Sequence, residues 1–551
     1  MSPPDSIANS VEPTALFGAV AVTDQTQAED LGLDFIDLSD FAGNRKLIER
    51  FPASVLFRHF AFPLEETASG DIRVAICNAF DLECINELSV LSGKAIVAVL
   101  ADRRQIEAKL VENLGVAGGT VGHLASRQVS GEIADASSED LDRDEEASVL
   151  RVVNELLREA LEQSASDIHI EPTADNLRVR FRVDGQLRQQ PMPEGLGRFR
   201  AAIASRLKIM AKLNIAEKRL PQDGRIELSV RGRAIDVRIS VIPVLHGESI
   251  VMRILDQSKA GLSLDEMQMP FSVLGRWRKL IRQPHGLLLV TGPTGSGKTT
   301  TLYGSLKDIR DDCQKIITIE DPIEYQLDGV SQIQVQPKIG LSFPQGLRSI
   351  LRHDPDAVLI GEIRDAETAV SAVQAALTGH LVFSTLHTND AASAITRLVD
   401  MEIEPYLVAS TVSAVLAQRL VRKLCEQCKT PAAQDSVSQH LEPLQDQLPA
   451  GTTIYTGTGC KHCHGTGFSG RVAVTELLEL NNHIRSLCTA GADSHQIRLA
   501  AQRAGMVTLR ESGMRLVADG VTSLSEILRI TADEPEAEIH NSFPTKLEGG
   551  Q

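Results

Sequence analysis

GLLLVTGPTGSGKTTT, at residues 286–301, is the stretch of sequence that decides the fold of the largest part of this chain. Its apolar start predicts a buried strand of a parallel sheet. Gly292–Thr299 then matches the phosphate-loop pattern G-x-x-x-x-G-K-[ST], and a helix is expected to follow. Because strand, loop and helix occur in the required order, we favour a phosphate loop over a glycine-rich turn that binds nothing.

In such a loop, consecutive backbone N–H groups and the N-terminus of the helix face phosphate oxygens. Lys298 is expected to reach the β- and γ-phosphates of ATP, and the Thr299 hydroxyl is expected to ligate Mg²⁺. The predicted nucleotide-binding residues are Gly292, Pro293, Thr294, Gly295, Ser296, Gly297, Lys298, Thr299 and Thr300.

Length and composition indicate a multidomain globular protein. The chain has 551 residues, of which 42% are hydrophobic, enough for several cores. The net charge of −17 and an aromatic content of 4% argue against nucleic acid as a partner. No apolar run reaches the roughly 18 residues of a membrane helix, and the N-terminus has no signal segment. We therefore expect a cytoplasmic protein.

The N-terminal half reads as two small modules joined by a tether. Residues 1–115 predict an αβ module without a catalytic constellation. Residues 131–147 carry eight acidic residues and one arginine, which is typical of a flexible linker. An amphipathic helix is predicted from Val149, and a β-rich module with turns at Asp184-Gly185 and near Gly232 follows.

The segment RLPQDGR, residues 219–225, lies between the two predicted hairpins of that module. Arg219 and Arg225 bracket a turn, where core packing gives no reason for them. Solvated surface charge is the ordinary explanation. The neighbouring phosphate loop favours the alternative, a protruding loop that meets an anion.

Three predicted strands after the phosphate loop end in polar clusters. Residues 316–319 lead to Glu320 and Glu324, residues 357–360 lead to Glu362, and residues 381–384 lead to His387. Carboxyl ends of strands in an open α/β sheet are where ligands bind. A carboxylate there can orient the attacking water or hold Mg²⁺ through its waters, and a neutral histidine can sense the γ-phosphate. Each cluster taken alone would also suit a helix cap or turn.

Two C-x-x-C pairs predict a metal site. Cys425, Cys428, Cys460 and Cys463 supply four thiolates, which suit a closed, structural Zn²⁺ site. The long spacer predicts that residues 429–459 form a separate excursion. A redox role is the alternative, and His462 and His464 are expected to be bystanders because four sulfurs complete the shell. Residues 470–480 predict a strand that passes into a helix.

Further motifs give the chain a family resemblance. The phosphate loop, ITIEDPIEY at 317–325, DPDAVLIGEIRD at 354–365 and GHLVFSTLHTND at 379–390 resemble the Walker A, Asp-box, Walker B and His-box motifs of the motor ATPases of type II secretion and type IV pilus assembly. ASDIHIEP at 165–172, RLPQDGR and the four cysteines also resemble this family.

The resemblance implies an α/β chain whose RecA-like P-loop ATPase domain follows a small αβ N1 domain and a PAS-like α+β N2 domain. The expected organisation is an N1 docking domain at 1–115, a flexible acidic linker at 116–147, N2 at 148–260, a linker and helix at 261–280, the ATPase core at 281–424, a zinc subdomain at 425–470, a C-terminal helical region at 471–533 and a disordered tail at 534–551.

The resemblance also implies roles. Lys298 and Thr299 would hold phosphate and Mg²⁺, Glu324 would orient water, and Glu362 would be the Walker B residue. His387 would contact the γ-phosphate side, while Arg219 and Arg225 would add positive charge from N2 as that domain closes.

It implies a homo-hexamer on the cytoplasmic face of the inner membrane, bound through N1 to a bitopic platform protein and also to a polytopic one. FIDLSDF at 35–41 favours secretion, with pilus extension as the alternative. A nucleic-acid translocase and a catalytically silent scaffold are less favoured.

Overall fold

The computed structural model describes residues 34–39, 41, 43–48, 50–78, 81–114, 138–192, 195–230, 233–256, 262–432, 448 and 451–531. The predicted tail at 534–551 and residues 116–137 of the predicted linker lie outside these ranges, as do residues 433–447 of the predicted excursion. The chain divides into two compact units, Met1–Asp256 and Gln257–Gln551.

Over residues 34–114, as far as they are described, the first unit has a three-stranded sheet and four helices. The helices are α1 (Arg45–Ile48), α2 (Ala53–His59), α3 (Leu82–Ser92) and α4 (Arg103–Leu114), and the strands are β1 (Ala61–Glu66), β2 (Ile72–Ile76) and β3 (Ile96–Leu100). Strand β2 pairs antiparallel with β1 and parallel with β3. The predicted strands at 71–77 and 95–100 and the helix at 103–114 are present. The buried side chains of this part form a hydrophobic core of their own.

A second module of this unit contains one long helix and an antiparallel sheet. Its elements are α5 (Ser138–Glu162), α6 (Arg200–Met210), β4 (Asp167–Pro172), β5 (Leu177–Val183), β6 (Gln186–Gln189), β7 (Gln222–Val230), β8 (Arg233–Val244) and β9 (Gly247–Asp256). The strand order is β6-β5-β4-β9-β8-β7. The predicted Asp184-Gly185 turn is present, and both residues have positive φ angles of 48° and 84°, as a tight hairpin turn requires.

Helix α5 corrects one expectation about the linker. It begins at Ser138, whereas we predicted a flexible segment to residue 147 and a helix only from Val149. Acidic residues are favourable in the first turns of a helix because they face the positive end of its dipole. An acidic composition is therefore compatible with the start of a helix, and taken as the sign of a flexible linker it placed this start too late. The apolar face of α5, including Val152, Leu156 and Leu157, packs in the core of the module.

The second unit is built on a seven-stranded sheet of order β12-β11-β13-β14-β10-β15-β18. Its strands are β10 (Gly286–Thr291), β11 (Ile316–Glu320), β12 (Ser331–Gln334), β13 (Ala357–Ile360), β14 (Leu381–Leu386), β15 (Val412–Leu424) and β18 (Phe468–Glu479). All neighbours are parallel except β15 and β18. The predicted strands that precede the polar clusters are confirmed.

Helices cover both faces of this sheet. They are α7 (Phe271–Leu280), α8 (Lys298–Ile309), α9 (Phe343–Ile350), α10 (Ala366–Leu377), α11 (Ala391–Asp400) and α12 (Pro405–Thr411). Leu287 and Leu289 of β10 belong to one core, and Leu288 and Val290 belong to the core on the opposite face. Burial on both faces explains why β10 is a continuous apolar run.

In its described residues, the C-terminal part adds a short two-stranded sheet and four helices. Its elements are β16 (Lys429–Pro431), β17 (Tyr455–Gly457), α13 (Asn482–Thr489), α14 (Ser494–Arg503), α15 (Leu509–Ala518) and α16 (Leu524–Thr531). The predicted change from strand to helix within 470–480 was wrong, because β18 continues to Glu479. Ten residue pairs join β18 to β15, and this pairing overrides the helix propensity of the segment TELLEL.

Candidate active site

The phosphate loop joins β10 to α8 through three glycines in the left-handed region. Their φ angles are 145° at Gly292, 79° at Gly295 and 88° at Gly297. A Cβ at Gly292 would lie 2.3 Å from the carbonyl oxygen of Gln418, so this position requires glycine. Turns of this kind bring successive N–H groups to one concave side, and the N-terminus of α8 adds its positive dipole end. The loop therefore has the geometry that suits an anion.

Lys298 is the first residue of α8 and points back across the loop. Its Nζ donates to the carbonyl oxygens of Gly292 and Pro293, at 2.8 and 3.1 Å. Burial lowers the pKa of Lys298, and the charge of Glu362 acts in the opposite direction. Thr299 and Thr300 follow in the same turn, both half-buried. The cation, the hydroxyls and the loop N–H groups thus share one end of the helix.

Glu362 follows β13 and lies between two basic side chains. Its carboxylate is 3.4 Å from Nε2 of His387 and 2.5 Å from Nη2 of Arg364. The Glu362 side chain is 12% exposed, and that of His387 is 47% exposed. Glu362 is therefore held in place at the edge of the sheet while His387 stays accessible to a ligand.

The loop that carries His387 is tied to the phosphate loop through Thr291. The Thr291 hydroxyl lies 2.7 Å from that of Thr388 and accepts the Thr388 backbone N–H at 3.0 Å. Thr291 is fully buried at the end of β10. His387 and the phosphate loop are consequently parts of one hydrogen-bonded arrangement.

Glu324 lies in the segment after β11, which a buried network connects to α8. The hydroxyl of Tyr303 donates to the Glu320 carboxylate and is hydrogen-bonded by the backbone of Glu324. Thr318 and Gln332 also donate to Glu320, at 2.6 and 3.2 Å. Burial, together with the Glu320 charge, raises the pKa of Tyr303. The phosphate-loop helix therefore helps to place the segment that contains Glu324.

Arg219 and Arg225 both lie in the first unit, in different settings. The predicted loop contains only Arg219, because Arg225 is already part of β7. The Glu217 carboxylate accepts two hydrogen bonds from the Arg219 guanidinium, at 3.1 and 2.8 Å, and these lower the pKa of Glu217 to about 2. Nε of Arg225 donates to the buried Asp236 at 2.5 Å. The two side chains remain 87% and 57% exposed, so both have guanidinium surface available to an anion.

The four cysteines of the two C-x-x-C pairs come together. Their sulfur atoms all lie within 4.8 Å of one another, and the distances include 3.8 Å between Cys425 and Cys460 and 3.7 Å between Cys460 and Cys463. His462 and His464 are exposed and are not part of this cluster.

Backbone donors around Cys463 indicate that the cluster is suited to thiolates. The N–H groups of Cys460 and Gly467 both point at the Cys463 sulfur, at 3.2 Å. Burial opposes the thiolate, yet these donors and the neighbouring thiols lower the pKa of Cys463 to about 6. Burial raises the pKa values of Cys425 and Cys428, so the donors favour one thiolate within the cluster. Four converging sulfurs with N–H donors fit a tetrahedral metal ion.

Several residues of the site were missed from the sequence. Tyr303 and Thr291 read as ordinary residues of a helix and a strand, and Arg364 belonged to the predicted polar cluster after β13 but was given no role of its own. One feature of the sequence could have drawn attention to Gln418, because it is a polar amide within the long strand run VSAVLAQRLVRKL. Thr291, Tyr303 and Gln418 act through contacts with residues distant in the sequence. Arg364 instead pairs with Glu362, two positions away.

In the ranges that the structure describes, no helix combines the length and apolar character needed to cross a bilayer.

Known protein families and a solved structure match this chain. A family model described as "Type II/IV secretion system protein" matches residues 142–529, and one described as "MshEN domain" matches residues 31–120. The ATPase DotB of Yersinia pseudotuberculosis is similar in structure, with a TM-score of 0.51 and 22% identity over 71% of this chain and 94% of that chain. At this identity the similarity concerns the fold, which is that of the P-loop ATPases.

Three relatives are similar over much of their length. The type II secretion system protein HxcR of Pseudomonas aeruginosa is 51% identical over 71% of this chain and 79% of its own. The type II secretion system ATPase E of Vibrio cholerae is 42% identical, covering 90% and 96%. The type IV pilus assembly ATPase PilB of Myxococcus xanthus is 40% identical, covering 92% and 90%. The chain therefore belongs to the type II/IV secretion system protein family and is an ATPase of that family.

Proposed function

We propose that this protein hydrolyses ATP to ADP and phosphate and uses the free energy to drive type II secretion. The observation that carries the proposal is the grouping of Lys298, Glu362 and His387 around one anion-binding loop, with Glu324 linked to the same helix. An ATPase site needs these elements: a phosphate cradle, carboxylates for water and metal, and a polar group on the phosphate side. Relatives named for type II secretion favour that process.

The chain's own residues divide the work of hydrolysis. The loop N–H groups and Lys298 hold the β- and γ-phosphates of ATP, and Thr299 with Glu362 holds Mg²⁺, which neutralises charge on the phosphates when bound. Glu324 orients the attacking water. His387 donates toward the γ-phosphate, and its contact with Glu362 fixes the ring. The remaining loop residues, 292–297 and Thr300, line the phosphates.

The two glutamates can be distinguished by isosteric amides. We expect Glu324→Gln to retain ATP affinity and to lose turnover by at least about 100-fold, because removal of a general base costs about 10² to 10⁴ in rate. ATP binding by calorimetry and steady-state hydrolysis are the measurements. If Glu324→Gln hydrolyses ATP near the wild-type rate while Glu362→Gln does not, the roles are the reverse of those proposed.

We also propose the assembly in which the site works. Arg219 and Arg225 supply positive charge to bound ATP in a homo-hexamer. Zn²⁺ in the four-cysteine cluster is structural, since four thiolates leave no open position. The N1 domain binds a bitopic platform protein, the ring also contacts a polytopic one, and the protein is thereby attached to the cytoplasmic face of the inner membrane. Nucleic acid is not a partner.

Hydrolysis by the full-length protein, with and without the cytoplasmic part of the bitopic protein, tests the function. We expect stimulation by that partner and no activity in Lys298→Ala. Single-stranded DNA serves as the negative control. Stimulation by DNA but not by the platform protein would instead identify a nucleic-acid motor, and a hexamer that binds ATP without hydrolysing it would identify a scaffold.

Pilus extension is the second candidate, since the M. xanthus relative at 40% identity is a pilus assembly ATPase. A pull-down with the full chain distinguishes the two processes. Platform proteins from the secretion and pilus machines are offered in parallel, and retention of only the pilus components would overturn the assignment to secretion.

A further inference from the structure

Gln418 lies beside the phosphate loop and forms hydrogen bonds there with both the nitrogen and the oxygen of its side-chain amide. This residue is fully buried in β15. Its Nε2 donates to the carbonyl oxygen of Ser296 at 2.8 Å, and its Oε1 accepts from the Thr301 hydroxyl at 2.6 Å. One side chain from the neighbouring strand β15 thus holds the last turn of the loop and the first turn of α8.

The bond to Ser296 has a consequence for the neighbouring peptide group. In a planar trans peptide, the C=O of one residue and the N–H of the next point in opposite directions. Because Gln418 fixes the Ser296 carbonyl toward β15, the Gly297 N–H must point away from β15. That direction is the one the proposed phosphate site requires of its donors.

The packing of the loop glycines agrees with this arrangement. A Cβ at Gly297 would lie 2.7 Å from Nε2 of Gln418, and one at Gly292 would lie 2.3 Å from its carbonyl oxygen. Two of the three loop glycines therefore make room for the same residue. Gln418 and the loop glycines are packed against each other, so a change in the size of one residue requires the other to move.

We propose that Gln418 is a positioning residue for phosphate binding: it turns the Gly297 N–H toward the β- and γ-phosphates and holds α8 in register with the loop. The proposal rests on the ATP site described above and goes beyond it, because Gln418 does not itself belong to the loop. A purely structural role would stabilise the sheet without a specific effect on nucleotide affinity.

Three variants of the full-length protein test the proposal. Gln418→Met keeps the length of the side chain and removes both hydrogen bonds. Gln418→Glu keeps an acceptor for Thr301 and loses the donor to Ser296. Thr475→Val is the matched control, because Thr475 is buried directly opposite Gln418 on β18 and its hydroxyl has no hydrogen-bond partner among the described residues.

Calorimetric Kd values for ATP, steady-state KM and kcat, and melting temperatures are measured for each variant. We expect both Gln418 variants to raise Kd and KM by at least about tenfold, equivalent to about 1.4 kcal/mol, while kcat falls much less. Thr475→Val is expected to bind ATP like the wild type even where its melting temperature changes.

Two results would overturn the role of Gln418. One is ATP affinity within about twofold of wild type in either folded Gln418 variant. The other is an equal loss of affinity in Thr475→Val. Lys298→Ala separates this inference from the proposed function, since unchanged ATP binding in that variant would refute the nucleotide site itself.

Discussion

Tyr303 shows how a single hydroxyl group can connect two parts of a catalytic site. It belongs to the phosphate-loop helix, yet it contacts the Glu320 carboxylate and the backbone of Glu324. Its ring packs edge-on against Tyr325, with 4.6 Å between centroids. The backbone of Glu324, the residue whose carboxylate we assign to the attacking water, is therefore held by the helix that follows the phosphate loop.

We expect Tyr303→Phe to lower kcat about tenfold and to leave the KM for ATP within about twofold of wild type. The phenylalanine ring retains the packing, but the Glu324 backbone loses a partner and a buried carboxylate loses a donor, which costs about 1 to 3 kcal/mol. Steady-state kinetics provide the measurement. Tyr406→Phe, at a tyrosine that is 58% exposed, is the control, and an unchanged kcat in Tyr303→Phe would contradict the prediction.

At the level of elements, β15 is the strand that joins the separate sites. Its middle residue Gln418 supports the phosphate loop, and its last residue, Leu424, precedes Cys425 of the four-cysteine cluster. Along its outer edge it pairs with β18. Near its end, Arg422 donates to the buried carboxylate of Glu526 in α16 at 2.9 Å.

The four-cysteine cluster is expected to be necessary for local folding. Structural Zn²⁺ supplies about 10 to 16 kcal/mol in small finger peptides, so Cys425→Ser with Cys460→Ser should lose bound zinc and unfold residues 425–470. Metal analysis and amide hydrogen exchange of this segment provide the test, and Cys313→Ser, at an exposed cysteine, is the control. Full protection without metal would show that zinc is not required.

Glu526 makes the stability of the C-terminal part dependent on pH. Burial opposes its charge, but hydrogen bonds from Arg422 and Arg529 lower its pKa to about 2, below the value of about 4.3 for an unfolded chain. A carboxyl group whose pKa is lower in the folded than in the unfolded state stabilises the fold at pH values above the unfolded pKa. This contribution disappears as the pH falls toward 2. The difference between the folded and unfolded pKa values of Glu526 corresponds to about 3 kcal/mol in the free energy of unfolding.

Urea unfolding between pH 7 and pH 3 measures this contribution. We expect Glu526→Gln to be less stable than wild type at pH 7 and to show a weaker loss of stability on acidification. Exposed Glu404, changed to Gln, should keep the wild-type profile. Parallel pH profiles for wild type and Glu526→Gln would rule out this role for the carboxylate.

For the whole molecule, the two units carry complementary parts of the proposed machinery. The nucleotide site lies in the second unit, whereas Arg219 and Arg225 lie in the first. Both carboxylate oxygens of Glu217 accept hydrogen bonds from the Arg219 guanidinium. These bonds hold the cation in position, and an anion of greater charge can compete with Glu217 for it. The proposed function requires this cation to act on ATP.

Removal of these cations should therefore slow hydrolysis without weakening ATP binding. An arginine that stabilises phosphoryl transfer contributes about 10³ to 10⁵ in rate, and we expect Arg219→Ala or Arg225→Ala to lower kcat by at least about 100-fold. Arg198→Ala, at another exposed arginine of the same unit, is the control. Wild-type turnover in both variants would exclude a catalytic contribution from the first unit.

The sequence predicted the features that depend on local patterns. The phosphate loop, its flanking strand and helix, and the polar clusters after β11, β13 and β14 follow from motifs and apolar runs. The contact between Gln418 and Ser296 joins residues 122 positions apart, so no local pattern reveals it. The strand at TELLEL was missed for the same reason, because its conformation depends on pairing with β15.

The pairing of β15 with β18 has a consequence for the segment that connects the two strands. Leu424 and Phe468 are partners in this pair, so the segment between them, which contains the four-cysteine cluster, enters and leaves the sheet at adjacent points. Its removal would leave two neighbouring strands that a short turn can join. The four-cysteine segment can therefore be removed without separating β15 from β18.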